Sequence, residues 1–265
     1  MPITTVDGII GGTKGAGVIF KSAGQPTTAA NSWHSYWAAT AIPGAGTLAT
    51  GNTTAGIIPT EATAGAMDFT DPTGGAISYI MGATVTSTVS CTIWLYDRAF
   101  ALGALTPTSG AYPGPVTGTA LDRPADGVGC MIAAEIVTAL SAAAHTVTIT
   151  YINQNGDTGR TATVVLPASA PIGRVFFATL QAGDSGVRRI TGVSGSATPP
   201  TGTFNLLIIR PLLMVGVAAN VPRTLGIPEC GLRPLYANTC AAVLVYNPTG
   251  TTATTVTITL DLTTG

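Results

Sequence analysis

Charge is scarce in this sequence: Asp, Glu, Lys and Arg make up 9% of its 265 residues, against roughly 25% in an ordinary soluble domain. Ions therefore cannot cover most of the surface, while 46% of the residues are hydrophobic. Such a chain enters a membrane, aggregates, or covers its apolar and hydroxyl surface with neighbouring subunits. A membrane helix needs about 20 nearly uninterrupted apolar residues. The closest approach, Leu206 to Val221, is broken by Arg210 and Pro211 and ended by Asn220 and Pro222. The opening MPITTVDGII has no basic segment followed by an apolar run, so no secretory signal is expected. The chain is expected to stay in a cytoplasm until assembly. A net charge of −1, with its few Arg residues scattered, lacks the basic patch that a nucleic-acid binder needs.

Groups that carry chemistry are equally sparse. The four cysteines, Cys91, Cys130, Cys230 and Cys240, contain no C-x-x-C pair, so neither a zinc site nor a redox dithiol is indicated. Buried free thiols are expected. A Cys230–Cys240 bridge is the alternative, unusual in a reducing compartment. His34 sits in an aromatic cluster and His145 opens a Thr-rich strand, and no nucleophile–base–orienter set is identifiable around either. Most acids fall singly in turns, where their side chains bond local N–H groups. Asp68 and Asp71 lack the oxygen ligands of a calcium loop. Gly11 to Gly17 lacks the G-x-x-x-x-G-K-[ST] order of a phosphate loop. No catalytic, cofactor-binding or metal-binding residue is expected, and no enzyme.

What is abundant is Thr, with 33 Gly and 18 Pro, the composition of short strands joined by turns. Val85 to Tyr96 alternates apolar and mostly hydroxyl residues, with Val85, Val89, Cys91, Ile93 and Leu95 on one face. His145 to Tyr151 and Arg160 to Leu166 alternate likewise around Asn153 to Gly159, whose residues accept positive φ. Together they predict a β-hairpin with Val147, Ile149, Tyr151, Val164 and Leu166 inward. Further strands are expected at 174–180, 187–193, 204–209, 241–246 and 255–262. Helical spacing suggests short helices at Asn31 to Ala41 and Met131 to Ala144. The fold class is all-β, an antiparallel β-sandwich or jelly roll with extended Gly-rich arms and at most short helices. The expected organisation is an arm over 1–30, a β-rich region with long loops over 31–120 and a compact sandwich over 121–265. These boundaries are soft, and a single domain is equally allowed.

Thr4 to Gly8, Leu95-Tyr-Asp-Arg98, Val147 to Thr161, Leu180 to Arg188 and Leu232-Arg-Pro-Leu-Tyr236 together resemble virion structural proteins of tailed bacteriophages. The resemblance implies a capsid decoration or cement protein located in the virion and assembled in the host cytoplasm. Its partners would be the major capsid protein or other virion subunits, and it would form a homo-oligomer, a trimer at first guess. A tail-tube, baseplate or carbohydrate-binding tail-tip role is the alternative; there Trp33, Trp37 and Trp94 would form an exposed platform. The expected inter-subunit anchors are Ile9, Ile10, Ile19 and Phe20 in the arm, together with Arg98 and Arg123. Each of these arginines follows an acid that a strand would turn to its opposite face, so each is expected to meet an acid across an interface or to remain solvated. The arm is expected to be ordered by another subunit, because its glycines make ordering costly.

Overall fold

A computed structural model of the chain describes residues 5–22, 30–72, 76–112, 119–250 and 254–265. Two helices, α1 (Val6–Gly11) and α2 (Ile227–Cys230), are six and four residues long. The strands are β1 (Thr13–Ser22), β2 (Ser32–Ser35), β3 (Thr40–Ile42), β4 (Asn52–Ile57), β5 (Ser78–Ser87), β6 (Cys91–Leu105), β7 (Gly110–Ala111), β8 (Met131–Thr138) and β9 (His145–Asn153). They continue with β10 (Arg160–Leu166), β11 (Arg174–Phe177), β12 (Val187–Gly195), β13 (Thr203–Val217), β14 (Arg223–Leu225), β15 (Pro234–Leu235), β16 (Ala241–Asn247) and β17 (Val256–Thr264). All their pairings are antiparallel. The expected all-β class is the observed one.

At the centre, β13 pairs with β8, β8 with β11, β11 with β2, β2 with β16, β16 with β6, and β6 again with β13. The ring is closed, so these six strands form a barrel. Its interior holds Trp37, Trp94, Tyr96, Val175, Leu207, Ile209 and Leu244. On one outer side lies a sheet in the order β14-β5-β17-β1-β3, with β15 also on β5. Its Ile19, Val85, Ile258 and Leu260 pack with Ile93, Leu95, Val215 and Val243 from the barrel wall. On the other side, the sheet β10-β9-β12-β7 packs Val147, Ile149, Tyr151, Val164 and Ile190 against Phe100, Leu102, Ile132, Phe204 and Ile208. The long β6 and β13 line both outer cores.

The hairpin forms as expected. β9 and β10 pair from Arg160↔Tyr151 to Leu166↔His145, their five predicted inward residues are each at most 2% exposed, and Gly156 and Gly159 take positive φ in the turn. The strand expected over Val85 to Tyr96 is instead two, β5 and β6, which leave a bend at 88–90 for different sheets. Its apolar face survives the break, because Val85, Cys91, Ile93 and Leu95 enter the same core and Val89 packs against it.

Both expected helices are strands. Met131 to Thr138 is β8, which sends Ile132, Ala134 and Ile136 to the outer core and Ala133 to the barrel interior. A strand covered on both faces reads as a continuous apolar run, and over a short length periodicity cannot distinguish it from a helix. Asn31 to Ala41 holds β2 and the start of β3, with Trp33 on the barrel interior.

The expected arm also needs correction. Residues 1–4 and 23–29, including Ile3 and Gly24, lie outside the described residues. Thr13–Ser22, however, is a strand of the chain's own sheet, paired with β17 from Thr13↔Thr264 to Lys21↔Val256 and with β3 at Phe20↔Ile42. Lys21 fixes it further. Its ammonium, 3% exposed, donates to the carbonyls of Ala39, Pro43 and Gly44 at 3.0, 2.8 and 3.0 Å, and burial pulls its pKa down to about 8.

Candidate functional site

Two charged clusters sit on opposite faces of the same barrel strand, because consecutive residues on β6 point in opposite directions. Arg98 points inward and meets Glu135 of β8 in a two-pronged contact, Nη1 to Oε1 at 3.1 Å and Nη2 to Oε2 at 2.7 Å. Asn205 of β13 donates to the same Oε2 at 3.0 Å, and the guanidinium lies 4.8 Å from the Trp37 ring centroid. The pair is sealed from solvent, at 1% and 0% exposure. Burial alone would raise the Glu135 pKa, but the attraction and hydrogen bonds of Arg98 outweigh it and hold the carboxyl below its ordinary value.

Asp97 points outward and accepts from the Cys240 backbone N–H at 3.0 Å. Its Oδ2 lies 3.4 Å from both Arg123 Nε and Arg210 Nη2. Arg123 also donates to the carbonyl of Pro59 and, at 3.0 Å, to Asp122. Arg210 donates to the Pro234 carbonyl at 3.0 Å and stacks 4.7 Å from the Tyr236 ring centroid. Desolvation raises the Asp97 pKa against the pull of both arginines. Arg123 and Arg210 line, one each, two adjoining surface grooves of about 620 and 410 Å³ that share Pro124, Asp126 and Tyr236.

Both clusters tie distant strands together, and their charged groups are consumed by one another. Arg98 and Arg123, expected to face a partner or solvent, are 1% and 2% exposed and find their acids within the chain. Periodicity had placed Asp97 and Arg98 on opposite faces. Glu135 and Arg210 were missed because they lie in apolar runs with no local signal of a charged partner.

The other expected anchors separate. Ile19 is 1% exposed and belongs to the core beneath β1. Phe20, next to it on the strand, faces outward at 38%, Ile10 is 70% exposed on α1, and Ile9 is partly exposed. Phe20 has company: Val18 is 42% and Ile42 60% exposed on the same sheet.

His145, 1% exposed, makes contacts that the sequence did not indicate. Its Nε2 lies 3.0 Å from the Tyr112 hydroxyl and its Nδ1 lies 3.2 Å from Ser196 Oγ. Ser196 Oγ also accepts from the Thr146 N–H at 3.0 Å, and burial lowers the imidazole pKa. The pair ties β9 to the segment after β12. All four cysteines are free and buried. Burial pushes Cys130 and Cys240 up to about 12, so they are unreactive as thiolates near neutral pH. Among the described residues, no group of three or more His, Cys, Asp or Glu is placed to hold a metal ion, and no helix is long and apolar enough to cross a membrane.

No protein-family profile matches the chain, and no curated protein matches it. Among solved structures, it is similar to the VP2 subviral particle of infectious bursal disease virus at 11% identity and a TM-score of 0.21, covering 95% of this chain and 80% of that one. The Gt strain of the same virus gives 11% identity and a TM-score of 0.20, with coverage of 100% and 83%. Scores of this size carry no argument about fold or function.

Proposed function

We propose that the chain is a non-enzymatic structural subunit of a bacteriophage virion, a decoration or cement protein that stabilises the head through contacts between subunits. The observation that carries this reading is the outer face of the sheet β14-β5-β17-β1-β3. Hydroxyl and apolar side chains make up most of it, with Asp261 and Lys14 its charged members along β1 and β17, where an ordinary solvated face would carry more ions. Apolar surface of this kind gains free energy when a neighbour covers it.

The tryptophans support a shell role over a sugar-stacking platform. Trp37 and Trp94 are 3% and 9% exposed. Trp33 is only partly buried, but it packs against Trp94, Phe177 and Tyr246 with centroids 5.4, 6.0 and 5.4 Å away, tilted to Trp94 and Tyr246 and edge-on to Phe177. Trp33, Trp94 and Phe177 pack on one another and with the barrel interior at steep angles, which is not the coplanar open platform on which a sugar stacks.

Virions purified from the phage whose genome encodes the chain provide the test. Quantitative mass spectrometry should find it in a fixed ratio to the major capsid protein, and imaging should place it on or between capsid subunits. Its absence from the particles, or its presence only at the tail, would overturn the reading.

A further inference from the structure

The strand register defines the outer face of the β1 sheet row by row. One row runs Ile42, Phe20, Thr257 and Thr86; the next runs Val18, Thr259, Thr84 and Thr224; the third runs Ala16, Asp261 and Gly82. Within these rows Asp261 is the one ionisable side chain, and the next row adds the exposed Lys14 beside Thr263. Helix α1 closes the end of the face beyond them, where the Ile9 carbonyl accepts from Thr263 Oγ1 at 3.3 Å and from Lys14, and it adds the exposed Ile10.

We infer that this face pairs with the same face of a second copy of the chain, sheet against sheet, about a two-fold axis passing near Thr259. Three features select this occupant. With one acid, Asp261, and one base, Lys14, the face has no net sign to complement, so it suits a partner as neutral as itself. Its outward residues are mainly Thr and β-branched or aromatic side chains, which interlock when two sheets stack about 10 Å apart. Its size also fits: three long and two short strands, spaced about 4.8 Å apart with a rise of about 3.3 Å per residue, present roughly 550 Å². That comes near the lower end of the roughly 600–1,000 Å² per partner of a specific interface, and Ile10 extends it. An isologous contact satisfies each copy with one surface. The inference rests on the assembly reading and gives it a surface. It also specifies pairs, where the resemblance suggested trimers.

The test uses the full chain. Because all four native cysteines are buried, Thr259→Cys supplies an accessible thiol at the centre of the face. Sedimentation should show dimers of the wild type, and mild oxidation should trap Thr259→Cys as a disulfide-linked dimer. Thr163→Cys, exposed on the opposite outer sheet, should stay monomeric under denaturing electrophoresis. Phe20→Arg should sediment as a monomer with unchanged circular dichroism. A second folded variant, Val18→Lys, guards against failure of the first. A monomeric wild type, a dimer that survives both substitutions, or crosslinking of Thr163→Cys in place of Thr259→Cys would overturn the inference. Virions that contain the chain and tolerate Phe20→Arg at full occupancy would overturn it too, while leaving the virion reading intact.

Discussion

The two outer sheets do similar work from opposite chain geometries. Three of the four strands of the sheet β10-β9-β12-β7 fall within residues 145–195, a stretch that gives only β11 to the barrel, and its β9–β10 pairing is a hairpin. The sheet of β1, β5 and β17 joins the two ends of the chain, with Thr13 facing Thr264. Both pack an apolar layer against the shared barrel wall, so they resemble each other in energetics once formed. They differ in what must be ordered first. Long loops make closure slow and entropically unfavourable before contacts reward it. The hairpin sheet is therefore expected to form early and the end-joining sheet late.

The largest test removes β1. Deleting residues 1–22 strips β17 of one of its two neighbours, exposes the core beneath Ile19 and deprives the carbonyls of Ala39, Pro43 and Gly44 of the Lys21 ammonium. Burial of Ile19 alone stabilises by roughly 1.5–3 kcal/mol, and the remaining losses add to it. The truncated chain should lose its cooperative melting transition or aggregate. A truncated chain that melts cooperatively near the wild-type temperature would show that β1 behaves as an arm after all.

The same contrast explains what was legible in the sequence. The hairpin could be read because alternation, turn residues and partner strand all lie within about two dozen residues, so Val147, Ile149 and Tyr151 were assigned inward correctly. β1 could not, because its partner lies far away in the sequence, and its Gly15 and Gly17 signal flexibility to a local reader while Gly17 in fact serves close packing against Met67. β8 was read as a helix because the barrel and an outer sheet bury both of its faces. Of the candidate anchors, Phe20 and Ile10 were placed on the surface by sequence; Ile19, Arg98 and Arg123 went inside because their partners come from distant strands.

The second test falls on the shared wall and should weaken both sides together. Glu135→Ala leaves Arg98 buried without its counter-charge, a change of about 3–5 kcal/mol. Thermal denaturation of the variant should show one transition, shifted down, by probes on either outer sheet. Two separated transitions would mean that the sheets are energetically independent of the barrel.

A smaller, matched pair of substitutions separates the sheets by kinetics. Ile149→Val and Ile258→Val each remove one buried methylene, at 0% and 1% exposure, and each should cost about 0.5–1.5 kcal/mol. If the hairpin sheet forms first, Ile149→Val should chiefly slow refolding and Ile258→Val should chiefly speed unfolding. The reverse pattern in stopped-flow traces would place the chain ends in the folding nucleus.

The smallest effect is an acid response confined to the hairpin sheet. Asp184 accepts from Arg160 Nε and Nη2, both at 2.9 Å, from Asn153 Nδ2 at 2.8 Å and from the Tyr151 hydroxyl. The Arg160 hydrogen bonds are the main reason that its pKa is held down from 3.8 to about 2. A carboxyl whose folded pKa lies below its unfolded value contributes stability that is present above the unfolded pKa and lost as pH falls through the folded one. The window here runs from about pH 4 to about pH 2, and stability should fall with pH across it. Arg160 is partly exposed, so solvent screens the pair and the global change should be slight. The response should instead be local, as a loosening of the contacts that bind the β9–β10 turn to the 181–185 segment. Nuclear magnetic resonance titration of the Asp184 carboxyl should place its midpoint well below that of an ordinary aspartate, and Arg160→Gln should move it upward toward 3.8 with little change in melting temperature at neutral pH. A wild-type midpoint already at the ordinary value, or one indifferent to Arg160→Gln, would show that the turn is held by its packing and backbone bonds, leaving no acid-sensitive difference between the two sheets.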